Sequence, residues 1–246
     1  TAVGYEALSA NTAGIQNVAI GISAMTAGTT GDYNVAIGAL SLDAINTADF
    51  NTAVGYGTLT TNTSGASNVA IGRNALLSNT TGANNIAVGA LSLDANDSAS
   101  SNVAVGHNSL STNIVGAANV AVGTNALTAN IASNNTAVGQ DSAKANTSGV
   151  GITAIGYQAL IANTDGNSNT AVGFKALFTN LDGDNNTAVG QAALTLNSTG
   201  SHNTSVGLNT LDANTSGLGN IAMGHVALGA NQTGDYNTAI GYAALD

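Results

Sequence analysis

Apolar positions along the chain gather in one short cluster that returns every seventeen residues: a β-branched residue, then Ala, then Val or Ile, closed by Gly. The closing glycines run from Gly4 to Gly241 in fifteen copies, and every interval is 17 except that from Gly123 to Gly139, which is 16. Residues 51–67, NTAVGYGTLTTNTSGAS, display the whole unit. The residue three before the glycine is Thr, Val or Ile in all fifteen copies, and the next is Ala in fourteen, Ser205 being the exception. Val or Ile precedes the glycine in fourteen (Met223 differs), and Leu lies four after it in thirteen (Met25 and Ala143 differ).

Two β-branched residues flanking one Ala and ended by Gly predict a short strand. A unit this short has no room for a helix of about ten residues beside a strand and its turns, and Gly, Asn and Thr are all poor helix formers. The chain therefore reads as all-β, a β-solenoid of about 15 coils forming a single repeat array over residues 1–246. Each coil is expected to hold a first strand at Thr-Ala-Val, a bend at Gly, a second strand around Ala-Leu, and a turn built on Asn-Thr-x-Gly. Coils stacked at about 4.8 Å would make a rod roughly 70 Å long. Glycine in both the bend and the turn column implies corners with φ > 0. The 16-residue unit is shortened in the turn before Asn135, where NIASN replaces the usual spacing; turns tolerate deletion and strands do not. Proline is absent, as expected where nearly every N–H serves a ladder.

Alternation along the strand puts Val/Ile on one face and Ala on the other. Val/Ile and Leu are expected inside. The Ala column then faces outward against another chain, or else lines a cramped part of the interior. Asn precedes the first strand in thirteen of fourteen places (Ile152 differs) and opens the second turn in twelve of fourteen. Stacked amides can bond coil to coil. The same residues also begin glycosylation triplets at Asn62, Asn79, Asn96, Asn146, Asn197, Asn214 and Asn231, on a turn expected to be exposed.

Charge changes the picture little. Lys and Arg total 3 against 13 acidic residues, a net charge of −10, and no basic stripe is present for nucleic acid. No apolar run approaches a membrane span, no signal peptide opens the segment, and without Cys there is no disulfide framework. No catalytic, cofactor-binding or metal site is expected, and the protein does not read as an enzyme. His107, His202 and His225 fall at variable bend or turn positions. Asp182 and Asp184, with Asp32, Asp165 and Asp235, flank turn glycines but lack a calcium-binding repeat. Eight of nine aromatics fall in two columns, read as corner packing and as too scattered for one sugar platform. Thr1 begins inside a strand and Asp246 follows one, so the segment reads as a slice of a longer periodic chain or one link of a filament.

The segments NVAIG (17–21, 34–38, 68–72) and NTAVG (51–55, 135–139, 169–173, 186–190) resemble the NSVAIG-type repeats in head domains of trimeric autotransporter adhesins, also found in bacteriophage tail fibres. The resemblance implies a left-handed parallel β-roll in a parallel homotrimer, exposed on a cell or virion surface and used for attachment. The expected function is a structural and adhesive extracellular fibre or tail-fibre shaft that presents a binding tip. Its expected partners are copies of itself, as homotrimer or filament, and a cell-surface receptor or glycan. The alternatives are a carbohydrate- or ice-binding solenoid and a glycan-coated filament subunit.

Overall fold

The computed structural model describes residues 1–246 as two compact units, Thr1–Thr124 and Asn125–Asp246, each an all-β parallel solenoid. The first holds β1 (Ala2–Val3), β2 (Val18–Ile20), β3 (Val35–Ile37), β4 (Thr52–Val54), β5 (Val69–Ile71), β6 (Ile86–Val88), β7 (Val103–Val105) and β8 (Val120–Val122). The second holds β9 (Thr136–Val138), β10 (Thr153–Ile155), β11 (Thr170–Val172), β12 (Thr187–Val189), β13 (Thr204–Val206), β14 (Ile221–Met223) and β15 (Thr238–Ile240). Within each unit consecutive strands pair in parallel with like on like, as Ala53 on Ala70 and Ala154 on Ala171.

Ladder bonds extend past the strands around the coil. Gly72 N donates to Val54 O (2.9 Å), Leu76 N to Ser92 O (3.0 Å), Thr63 N to Thr80 O (3.0 Å) and Tyr33 N to Ile15 O (3.1 Å). In the second unit Lys175 N donates to Tyr157 O and Leu160 N to Ala176 O, both at 3.0 Å. A proline at any of these donors would delete a coil-to-coil bond, which accounts for its absence.

The expected orientation of the strand is reversed. Ala19, Ala36, Ala53, Ala154 and Ala171 are fully buried, so the Ala column lines the interior and no other chain packs on it. The flanking Val, Ile and Thr residues face outward, half-buried or exposed. The Leu column is inside as expected, with Leu59, Leu76 and Leu177 fully buried. Leu side chains and the Ala methyls thus share one closed interior, where close packing leaves no room beside the strand for a larger side chain. Ser205, the one departure, is buried and satisfies its hydroxyl on Thr210 O at 2.8 Å.

A second strand does not form. The Ala-Leu segment is a run of turns in which Leu and the residue two before it take positive φ, as in Asn74 (58°) with Leu76 (51°) and Lys175 (53°) with Leu177 (51°). Left-handed backbone costs a side-chain-bearing residue about 1–2 kcal/mol. Burial of a Leu side chain, about 1.5–3 kcal/mol, offsets that here. Sequence periodicity sees the buried Leu but not the sign of φ. Val226 is the one β-branched residue among the non-glycine residues with positive φ, consistent with its steric penalty there.

The two glycine columns serve different needs. Bend glycines take φ of 123° to 140°, as expected. Turn glycines do not adopt positive φ; they are required for space. A Cβ on Gly166 would lie 2.5 Å from Gly183 O and 2.6 Å from Asn163 Oδ1. The shortened coil keeps its strand: β9 pairs in full register with β10, and the deletion is absorbed where Asn130 Nδ2 bonds Ala132 O at 2.8 Å.

Candidate interaction surfaces

Two internal Asn columns converge on turn glycines. In one coil Asn186 Nδ2 and Asn197 Nδ2 both donate to Gly200 O at 2.8 Å; in another Asn169 (2.7 Å) and Asn180 (2.9 Å) both donate to Gly183 O. The turn column also bonds lengthwise, Asn163 Nδ2 to Asn146 Oδ1 at 2.7 Å and Asn180 Nδ2 to Asn163 Oδ1 at 2.8 Å. The strand column instead accepts from the backbone, as Asn34 N donates to Asn17 Oδ1 at 2.8 Å. These are the amide ladders expected from the sequence.

The residues that begin the glycosylation triplets of the turn are not exposed. Asn62, Asn79, Asn96, Asn146, Asn197 and Asn214 are fully buried, and Asn231 is half-buried with its Nδ2 spent on Asn214 Oδ1 and Gly234 O. The turn is therefore not the exposed site expected. Three further triplets escaped the sequence reading: Asn134-Asn135-Thr136 and Asn185-Asn186-Thr187, which begin on exposed residues just before a strand, and Asn203-Thr204-Ser205, which begins on a fully buried one. A doubled Asn marks the two exposed ones.

The titratable candidates are dispersed. His107, His202 and His225 are exposed, and no three of His, Asp or Glu come together as a metal-binding group. Turn carboxylates act as acceptors between coils: Asp32 Oδ1 takes Ile15 N (2.7 Å), Asp184 Oδ1 takes Asn167 N (2.6 Å) and Asp235 Oδ1 takes Leu218 N (2.7 Å). Asp165 Oδ1 accepts Thr164 Oγ1 at 2.6 Å, and Asp182 is exposed. Burial pushes the Asp94 carboxyl above its ordinary pKa, and Asp94 Oδ1 has no hydrogen-bond partner. At Asp141 burial raises the pKa, but hydrogen bonds from Asn125 and Lys144 outweigh it and the net shift is downward. Lys144 Nζ lies 3.3 Å from Asp141 Oδ1.

Two surface features remain. The outward strand residues form an uncharged face, aliphatic in both columns of β2, β3, β5, β6, β7 and β8. Four of the nine aromatics pair between coils: Tyr33 stacks on Phe50 (centroids 5.0 Å apart, planes at 6°) and Tyr157 on Phe174 (5.5 Å, 16°). All four rings are exposed. The fold makes this chain a β-solenoid repeat protein; compared with known protein families, curated proteins and solved structures, it matches none.

Proposed function

We propose that the chain is the non-enzymatic, self-associating shaft of an adhesive extracellular fibre, on a cell or virion surface. The aliphatic strand face carries this reading. In β2, β3 and β5 to β8 both outward columns are Val or Ile, with Ile20, Ile37, Ile71 and Ile86 about two-fifths exposed. An extended apolar surface of this kind favours a protein partner over water. Another copy of the chain presents the same face with the same repeat, which matches apolar rows to apolar rows in every coil. A homotrimer, as the adhesin-like repeats imply, buries three such faces around one axis; a filament buries them successively. In either assembly the role is mechanical: many equal coil-to-coil ladders share load, and no long loop offers a cleavage point.

Native mass spectrometry and light scattering test this. A trimer or larger assembly is expected, and the combined Val35→Lys, Val69→Lys and Val103→Lys variant should run as a folded monomer by circular dichroism. A wild-type chain that is monomeric at high concentration sinks the proposal.

A second reading, an ice- or polysaccharide-binding face, is favoured by one observation. Thr136, Thr153, Thr170, Thr187 and Thr204 stand in register on five successive strands beside Val or Ile. Thermal hysteresis in the monomeric variant would support it.

A further inference from the structure

Across four consecutive coils the residue after the bend glycine is Gln140, Tyr157, Phe174 and Gln191, and all four are exposed. The two rings stack, and Lys175 places Nζ 5.4 Å from the Phe174 centroid and 5.2 Å from that of Phe178. Three of the chain's nine aromatics and one of its three basic residues therefore meet on two coils. Phe178 is the aromatic that stands outside the two aromatic columns, and it completes the group.

Lys175 differs from Lys144, whose charge is met by Asp141. No carboxylate lies within ion-pair distance of Lys175, although the chain carries a net charge of −10. Ring faces attract the ammonium but accept none of its three N–H donors in a conventional hydrogen bond. The group thus combines apolar ring surface, an uncommitted cation held in place by two rings, and an amide at each end of the row. Each glutamine amide both donates and accepts, which suits hydroxyl groups.

We propose that Gln140, Tyr157, Phe174, Lys175, Phe178 and Gln191 form a binding patch for a uronic-acid oligosaccharide. The sugar's C–H surface packs on the aromatic group, its carboxylate takes a charge-assisted hydrogen bond from Lys175, and its hydroxyls reach the flanking amides. Four coils span about 14 Å from first to last, the length of a short oligosaccharide and more than a single sugar ring can cover. The net negative charge of the chain selects against densely charged polyanions such as nucleic acid and leaves sparsely charged sugar acids. This proposal is independent of self-association, which rests on the strand face.

Saturation-transfer NMR and calorimetry on the full chain, with tetragalacturonate as probe and maltotetraose as neutral control, test the patch. Saturable binding of tetragalacturonate is expected, weakened about tenfold or more by Lys175→Gln through loss of a charge-assisted bond. Phe174→Ala should abolish it, and Phe50→Ala, on the other exposed stack, should leave it unchanged. Unaltered circular dichroism of the variants confirms that folding is intact. Absence of saturable binding, equal binding of maltotetraose, or full binding by Lys175→Gln overturns the proposal.

Discussion

Asn180 Nδ2 reaches back one coil to Asn163 Oδ1 at 2.8 Å while also donating to Gly183 O at 2.9 Å, so a single buried amide ties its own turn to the preceding one. Its Oδ1 in turn accepts Asn197 Nδ2 at 2.9 Å. A fully satisfied buried amide is neutral to stabilising, whereas a broken one strands its partners.

Asn180→Ala removes three bonds and leaves buried groups without partners. At about 1–3 kcal/mol for a stranded buried group, a loss of about 2–4 kcal/mol is expected. Urea unfolding checks it. Asp182→Ala, on an exposed residue of the same coil outside the left-handed region, should fall within about 0.5 kcal/mol of wild type.

Two glycines close in sequence separate conformation from space. Gly156 has φ of 132° and a Cβ there would lie 2.5 Å from Gly173 O, so Gly156→Ala should prevent that coil from stacking. Gly151 has φ of 70° with nothing nearer than Ser168 Oγ at 3.8 Å, so Gly151→Ala should cost about 1–2 kcal/mol. Thermal melts that rank the two equally would contradict these distinct roles.

Reversal of the strand face predicts opposite tolerances for neighbouring residues. Ala171→Val forces two methyl groups into a closed interior and should cost about 1–3 kcal/mol. Val172→Thr, on the outward side, should change monomer stability by less than about 0.5 kcal/mol.

Asp94 gives a pH signature. Burial raises its folded-state pKa, so the folded chain holds the proton more tightly than the unfolded one. The ionised carboxylate is then a liability at neutral pH, which fades as pH falls through the folded pKa toward the ordinary carboxylate value. Asp94→Asn should raise the melting temperature at neutral pH and lose that advantage in acid. Asp141 works in the other sense: its lowered pKa contributes stability above the ordinary carboxylate pKa, lost as pH falls through the folded value.

Glycan placement offers a chemical readout of burial. Folded protein secreted from a glycosylating host should carry sugar at Asn134 and Asn185 and none at Asn146 or Asn197, by glycopeptide mass spectrometry.

The sequence by itself determined the coil: its seventeen-residue period, its parallel like-on-like strands, its amide ladders and the turn that absorbs one deletion all follow from columns such as Asn163, Asn180 and Asn197. Those features are local, repeated and set by hydrogen-bonding capacity, and repetition amplifies them. Tertiary structure alone decided which strand face is inside, because Ala171 and Val172 alternate identically in either orientation and only the close packing of the interior shared with Leu177 selects the methyl group. It also decided that Leu177 sits in left-handed backbone rather than a second strand, since φ is fixed by where the next coil presents its carbonyl. The patch around Lys175 belongs to the same class: Tyr157, Phe174 and Phe178 are spaced apart along the chain, and stacking of coils brings their rings together.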